Sequence, residues 1–164
     1  MKIVPIAFDS MGTRSMATYV ETKDLKLFID PGVSLAPIRF GLPPHPLEVE
    51  RIEKQWEDIV RHVERSTHVL ISHYHYDHYD PEYPEIFEKK EVYVKHPTAN
   101  INRSQKERAA YFLPKIEKIC RLRYAEGAKI KVGDTEVMFS EAVPHGPSTR
   151  LGYVVETIVR EDDE

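Results

Sequence analysis

Six consecutive residues, His73-Tyr74-His75-Tyr76-Asp77-His78, concentrate side chains that bind metals and move protons, and they hold three of the chain's eight histidines. Imidazole nitrogens and carboxylate oxygens bind borderline divalent cations such as Zn²⁺ at about 2.0–2.2 Å. If this segment leaves a strand, period-2 alternation puts His73 and His75 on one side, where both can reach a single ion. Asp77 and His78 lie further along and can address a second ion beside the first. Tyr74 and Tyr76 then point away and are expected to stiffen the loop by packing. Two histidines leave an ion under-coordinated, so a third ligand must come from elsewhere. His145, bracketed by Pro144 and Gly146 at the bend after an apolar segment, is the candidate. Three imidazoles leave one position open, and water bound there can have its pKa lowered to about 7, giving a hydroxide nucleophile. The reaction class that follows is metal-assisted hydrolysis, with zinc the default cation and iron or manganese as alternatives, as one or two ions.

The remaining histidines read as structural. His62 falls beside a helical stripe, His68 starts a strand, and His45 and His96 adjoin prolines where they could line a cleft. The single cysteine, Cys120, sits among apolar neighbours and reads as a small core filler rather than a nucleophile.

The elements that must hold the hexad can be read from periodicity. Thr67–Ser72 is a short apolar run, the pattern of a buried strand, and it delivers the chain directly into His73. Strand patterns also occur at 3–8, 16–21, 25–29, 91–95, 118–124, 129–132, 136–140 and 151–159, with a hairpin turn at Val132-Gly133-Asp134. Between Leu47 and Arg65 the period becomes helical, with Val49, Ile52, Trp56, Ile59, Val60 and Val63 forming the stripe that should lie on a sheet. Ser104 and Glu107 have capping-box spacing, which predicts a second helix closed by Pro114. The proline-rich stretch from Pro31 to Pro46 is expected to pack over one end of the sheet. Strand groups broken by two helices indicate an α/β or α+β fold, a mixed sheet covered by helices.

The 164 residues suit one domain. With 23 basic and 27 acidic residues, the net charge of −4 argues against a general polyanion binder. The basic clusters Arg103/Lys106/Arg108 and Arg121/Arg123/Lys129/Lys131 therefore read as solvated faces. The 41% hydrophobic content excludes wholesale disorder. One cysteine excludes an internal disulfide framework and fits a reducing compartment. With no signal-like start and no long apolar span, the chain is expected to be cytoplasmic, without a membrane partner.

The hexad His-x-His-x-Asp-His after an apolar strand, with a later His-Gly, resembles the metallo-β-lactamase superfamily. The segments Ser10–Ser15, Phe28–Gly32, Arg39–His45, Asn100–Gln105 and Val143–Gly146 extend the likeness to an uncharacterised, mainly archaeal branch of predicted metal-dependent hydrolases. The resemblance implies a first metal site of His73, His75 and His145, and a second to which Asp77 and His78 belong. It implies an αβ/βα sandwich of two similar halves, completed by a bridging Asp and a last His that this sequence lacks. The chain thus resembles an N-terminal half-domain spanning 1–164, with an acidic tail at 161–164. Such a half should expose the sheet face that normally packs on its twin. The expected completion is a complementary second-half chain, a homo-oligomer, or none if the chain is a remnant.

On this reading the protein is a metal-dependent hydrolase, or its metal-carrying half, acting on a small molecule, with Asp77 as the catalytic carboxylate. The alternatives are a non-catalytic assembly or binding module that keeps a partial metal site, and a nucleic-acid processing hydrolase.

Overall fold

The computed structural model describes residues 1–161, so only Glu161 of the expected acidic tail falls within the described residues. β1 (Lys2–Ser10) and β2 (Thr13–Glu21) form a hairpin around Met11 and Gly12, both with positive φ. β3 (Lys26–Ile29) continues the antiparallel meander, and the short β4 (Ser34–Leu35) pairs with the start of β2. After α1 (Pro46–Arg65) the pattern turns parallel. β5 (His68–Ile71) pairs with β3, β6 (Glu91–Val94) with β5, and, beyond α2 (Arg103–Ile116), β7 (Arg121–Tyr124) with β6. The main sheet has the order β1-β2-β3-β5-β6-β7. β8 (Lys129–Val132), β9 (Thr135–Phe139), a small ribbon of β10 (Val143–Pro144) and β11 (Tyr153–Val154), and β12 (Thr157–Glu161) follow. β12, β9 and β8 make a second, antiparallel sheet.

The central strands are apolar on both faces because both are covered. On the helix side Phe28, Val69, Ile71, Val92 and Val94 pack with Ile59 and Val63 of α1 and Ala109, Phe112 and Ile116 of α2. On the other side Leu27, Leu70 and Tyr93 pack with Val137, Phe139 and Val155. The sheet face expected to be bare is therefore covered over its central strands by the second sheet. The uncovered part lies at β1 and β2, where Ile3, Phe8 and Met16 are 60%, 42% and 55% exposed. Ile3 pairs with Val20 and Phe8 with Met16, which places all three on the Val20 face.

Several local expectations need correction. α2 begins at Arg103, capped by the Asn102 side chain, which accepts from the Gln105 N–H; Ser104 lies inside the helix. Pro114 does not close it, because a missing N–H costs one backbone bond while Phe112 and Ile116 remain buried on the sheet. The strand expected over 151–159 is split into β11 and β12. The loop after β3 packs down only at its start, where Pro31, Gly32 and Val33 are buried and β4 joins β2, while its tip stands in solvent with Ile38, Phe40 and Leu42 exposed. In α1, Ile59 and Val63 are fully buried, but Val49 is exposed. The buried Gln55, off the apolar stripe, spends its amide on the Phe8 carbonyl at 2.8 Å. Among the described residues no helix is long and apolar enough to cross a membrane.

Gly32 is where fold and site meet. A Cβ there would lie 2.1 Å from the Tyr79 backbone nitrogen and 2.4 Å from the His78 carbonyl carbon, atoms that cannot swing aside. Gly32→Ala is expected to destabilise the protein by about 1–3 kcal/mol, the usual range for forced overpacking. Urea unfolding measures this, and an unchanged midpoint would mean the two loops are not locked together.

Candidate metal centre

The site forms where the parallel strands end. β5 stops at Ile71, and Ser72 leads the chain over the carboxyl edge of the sheet into the hexad. The neighbouring end of β3 carries Asp30, whose φ of 54° turns its carboxylate inward. That carboxylate, 5% exposed, accepts from the Ser72 N–H and the Ser72 hydroxyl, each at 2.7 Å. The Asp30 N–H in turn donates to the Leu70 carbonyl at 2.8 Å. Ser72 Oγ lies 3.0 Å from His73 Nδ1, which leaves His73 Nε2 facing His75 Nδ1 at 2.8 Å. The two histidines thus turn different ring nitrogens toward one point. His145 closes the group from the bend after β10, its N–H donating to the Gly152 carbonyl at 2.9 Å.

One donor atom each from His73, His75 and His145 can be chosen so that all lie within 4.8 Å of one another. Among the described residues this is the group of three His, Cys, Asp or Glu side chains with such spacing. Ligands at about 2.0–2.1 Å in a tetrahedral shell sit roughly 3.3 Å apart, so small ring adjustments bring the three onto one ion. Protonation favours ligation too. Burial pushes the His73 pKa far down, with help from His78, His75, His145 and Lys95. Burial likewise brings His75 down to about 4, against the pull of Asp77. Both are therefore neutral at pH 7, the form that carries a free lone pair.

Asp77 and His78 border this trio without joining it. His78 Nε2 lies 3.6 Å from Asp77 Oδ2, and the His73 and His78 rings are 4.0 Å apart. His78 Nδ1 is 2.9 Å from Asp30 Oδ2, though not aligned for a hydrogen bond. Burial works to lower the His78 pKa, but Asp30, Asp77 and Asp9 outweigh it and the net direction is upward.

Both tyrosines of the hexad sit away from the trio. Tyr74 is fully buried and its hydroxyl donates to the Lys95 carbonyl, whereas Tyr76 is exposed beneath the Arg108 guanidinium, 4.4 Å from its ring centroid. The other histidines are structural. His45 caps α1 by accepting from the Leu47 N–H, His62 contacts the Asp58 carbonyl, His68 sits against Thr67 and Tyr93, and His96 accepts from the Thr98 and Ala99 N–H groups. Cys120 is partly buried, and burial pushes its thiol up to about 11, far from an activated nucleophile.

Sequence reasoning passed over Asp30, Gln105 and the buried Lys95–Glu126 pair at 3.0 Å. Asp30 carried one usable signal, an Asp at a strand end before Pro-Gly. Gln105 and Lys95 carried none, because their partners are distant in sequence.

A cleft of about 390 Å³ opens beside His73, His78 and His145, walled by Met16, Ile29 and Val155. A larger one of about 700 Å³ lies between β7 and β8, lined by His68, Tyr93, Arg123 and Lys129. Only the smaller cleft adjoins the converging imidazoles, so chemistry and not volume identifies the site.

A mixed α+β fold that gathers three histidines at the ends of its parallel strands is the class these observations define. No family model matches the chain. It is 52% identical over 165 residues, all of its own length, to a UPF0282 protein of Korarchaeum cryptofilum, of which it covers 55%. It is 47% identical over 168 residues to a UPF0282 protein of Sulfurisphaera tokodaii, spanning 99% of this chain and 54% of that one. The chain therefore spans about half the length of the curated relatives it matches. In structure it is similar to an isothiocyanate hydrolase from Delia radicum gut bacteria, with a TM-score of 0.55 at 15% identity. That match covers 93% of this chain and 58% of the other, and it shows a shared fold.

Asp30→Ala is expected to leave the buried Ser72 N–H and hydroxyl without acceptors, at about 1–3 kcal/mol for each group. Denaturant unfolding checks this, and a loss no greater than that of an exposed Asp→Ala control would show that the carboxylate is not the anchor.

Proposed function

We propose that this chain is the metal-carrying part of a metal-dependent hydrolase, with zinc as the cation and a small molecule as substrate. The observation that carries the reading is the convergence of His73, His75 and His145, two of them held neutral, beside an open cleft. A divalent ion held there would supply Lewis acidity, polarising a substrate oxygen and acidifying water. The chain's own residues do the rest. Asp30 and Ser72 fix the His73 ring, and Asp77, 3.6 Å from His78 Nε2, would accept a proton or orient water. Asp77 and His78 are also the ligands this chain offers to a second ion.

The exposed Ile3–Phe8–Met16 strip borders the same cleft through Met16. We assign it to a partner surface, either the remainder of a longer chain like the relatives or a second copy of this one. Nucleic acid is a poorer fit as substrate. Arg121 and Arg123 both turn to Glu91, at 3.4 and 3.7 Å, and Arg103 is paired with Glu107 at 2.8 Å. A second reading, metal binding without turnover, is favoured because Asp77 and His78 form no converging three-ligand group among the described residues.

Protein purified without added metal should carry about one zinc per chain by mass spectrometry, as three imidazoles imply, and His75→Ala or His145→Ala should reduce it to a trace. Substoichiometric metal that His75→Ala leaves unchanged would overturn the proposal. Turnover of an ester, thioester or phosphoester by loaded protein separates the hydrolase from the binding module.

A further inference from the structure

The third ligand arrives from far along the chain, 67 residues after His78, on a turn that has no hydrophobic core of its own. His145, Pro147, Arg150 and Leu151 are at most half-buried, and the segment holds only a single 3-10 turn at Thr149–Leu151. The β10–β11 ribbon brackets its ends, and two side chains at the start of α2 hold its tip. The Asn102 amide donates to the Arg150 carbonyl at 3.0 Å, and the Gln105 amide donates to the Leu151 carbonyl at 2.8 Å. Gly152 is pressed against both, since a Cβ there would lie 2.7 Å from Gln105 Nε2 and 3.3 Å from Asn102 Nδ2. The carbonyl of that same Gly152 accepts the His145 N–H at 2.9 Å.

Gln105 also reaches the other two-residue ligand pair. It is fully buried although polar, and its Nε2 lies 3.4 Å from His75 Nε2 while its Oε1 accepts from the Tyr74 N–H at 3.4 Å. One amide thus touches the hexad on one side and the His145 turn on the other. The contact at His75 Nε2 restrains the position of that ring, whose Nδ1 edge faces His73.

We propose that Asn102 and Gln105 are positioning residues that clamp the 149–152 turn and the His75 ring, so that His145 and His75 meet at one ion. The inference rests on the three-histidine metal reading and adds the device that assembles it. It predicts that affinity for metal depends on two amides that never touch the ion. Partners of this kind, hydrogen-bonded to ligands, typically change metal affinity by roughly 10- to 100-fold.

Two substitutions separate clamping from other roles. Gln105→Met keeps the buried volume and removes both amide contacts. Asn102→Asp keeps an oxygen to cap α2 but loses the donor to Arg150. Two measurements on the whole chain read them: amide hydrogen exchange across 145–152 in metal-free protein, and Co²⁺ titration followed by its visible spectrum. Both variants should exchange faster across 145–152 and bind Co²⁺ roughly 10- to 100-fold more weakly, with a spectrum shifted toward that of His145→Ala. Adding His145→Ala to Gln105→Met should cost less than the sum of the two alone. Unchanged exchange, or faster exchange with parental Co²⁺ affinity and spectrum, would overturn the clamp and leave the metal reading standing. A parent chain that binds no Co²⁺ would overturn the metal reading itself, and the clamp's role in positioning ligands with it.

Discussion

A buried carboxylate organises this structure. Asp30 sits at the end of β3 in a left-handed conformation and receives both the backbone and the hydroxyl of Ser72 at the end of β5. A carboxylate so far out of water is tolerable only when its lone pairs are used, and the two acceptances from Ser72 use them, with the His78 ring 2.9 Å away. The same contacts decide where the chain turns off the sheet. From there the constraint passes through Ser72 to His73 Nδ1, and so dictates which nitrogen His73 offers to the cleft.

The rest of the fold makes that anchor rigid. Parallel pairing of β3, β5 and β6 aligns the strand ends, and helices on one face with a second sheet on the other hold the strands in place. Gly32 lets the loop after Asp30 pass against the backbone of His78 and Tyr79. The Lys95–Glu126 pair ties the ends of β6 and β7 together, with Glu126 also accepting the His96 N–H. The hexad is therefore bounded by fixed structure on its strand side, while the His145 side is held by the short β10–β11 ribbon and by polar contacts with α2.

What could be read from the sequence follows the range of the interactions. The hexad, its strand, α1 and the hairpin of β8 and β9 are local patterns, so periodicity and composition reveal them. That His145 would lie beside the hexad, as it does with its ring 4.7 Å from that of His73, followed from the expectation that two histidines need a third ligand, a chemical argument that needs no contact map. Asn102 was hidden behind Ser104, which offers the same capping chemistry two residues later. Gln105 looked like any polar helical residue, because its burial comes from a turn more than forty residues away. The covering of the central sheet face was likewise illegible. A resemblance to a two-part sandwich suggested a bare face, whereas Val137, Phe139 and Val155 supply a cover from within this chain.

The central claim is that His73, His75 and His145 share one divalent ion. X-ray absorption at the zinc edge of loaded protein tests it most directly. Three imidazole nitrogens at about 2.0–2.1 Å are expected, falling to two in His145→Ala. A shell of oxygen ligands, or one that His145→Ala leaves unchanged, would contradict it.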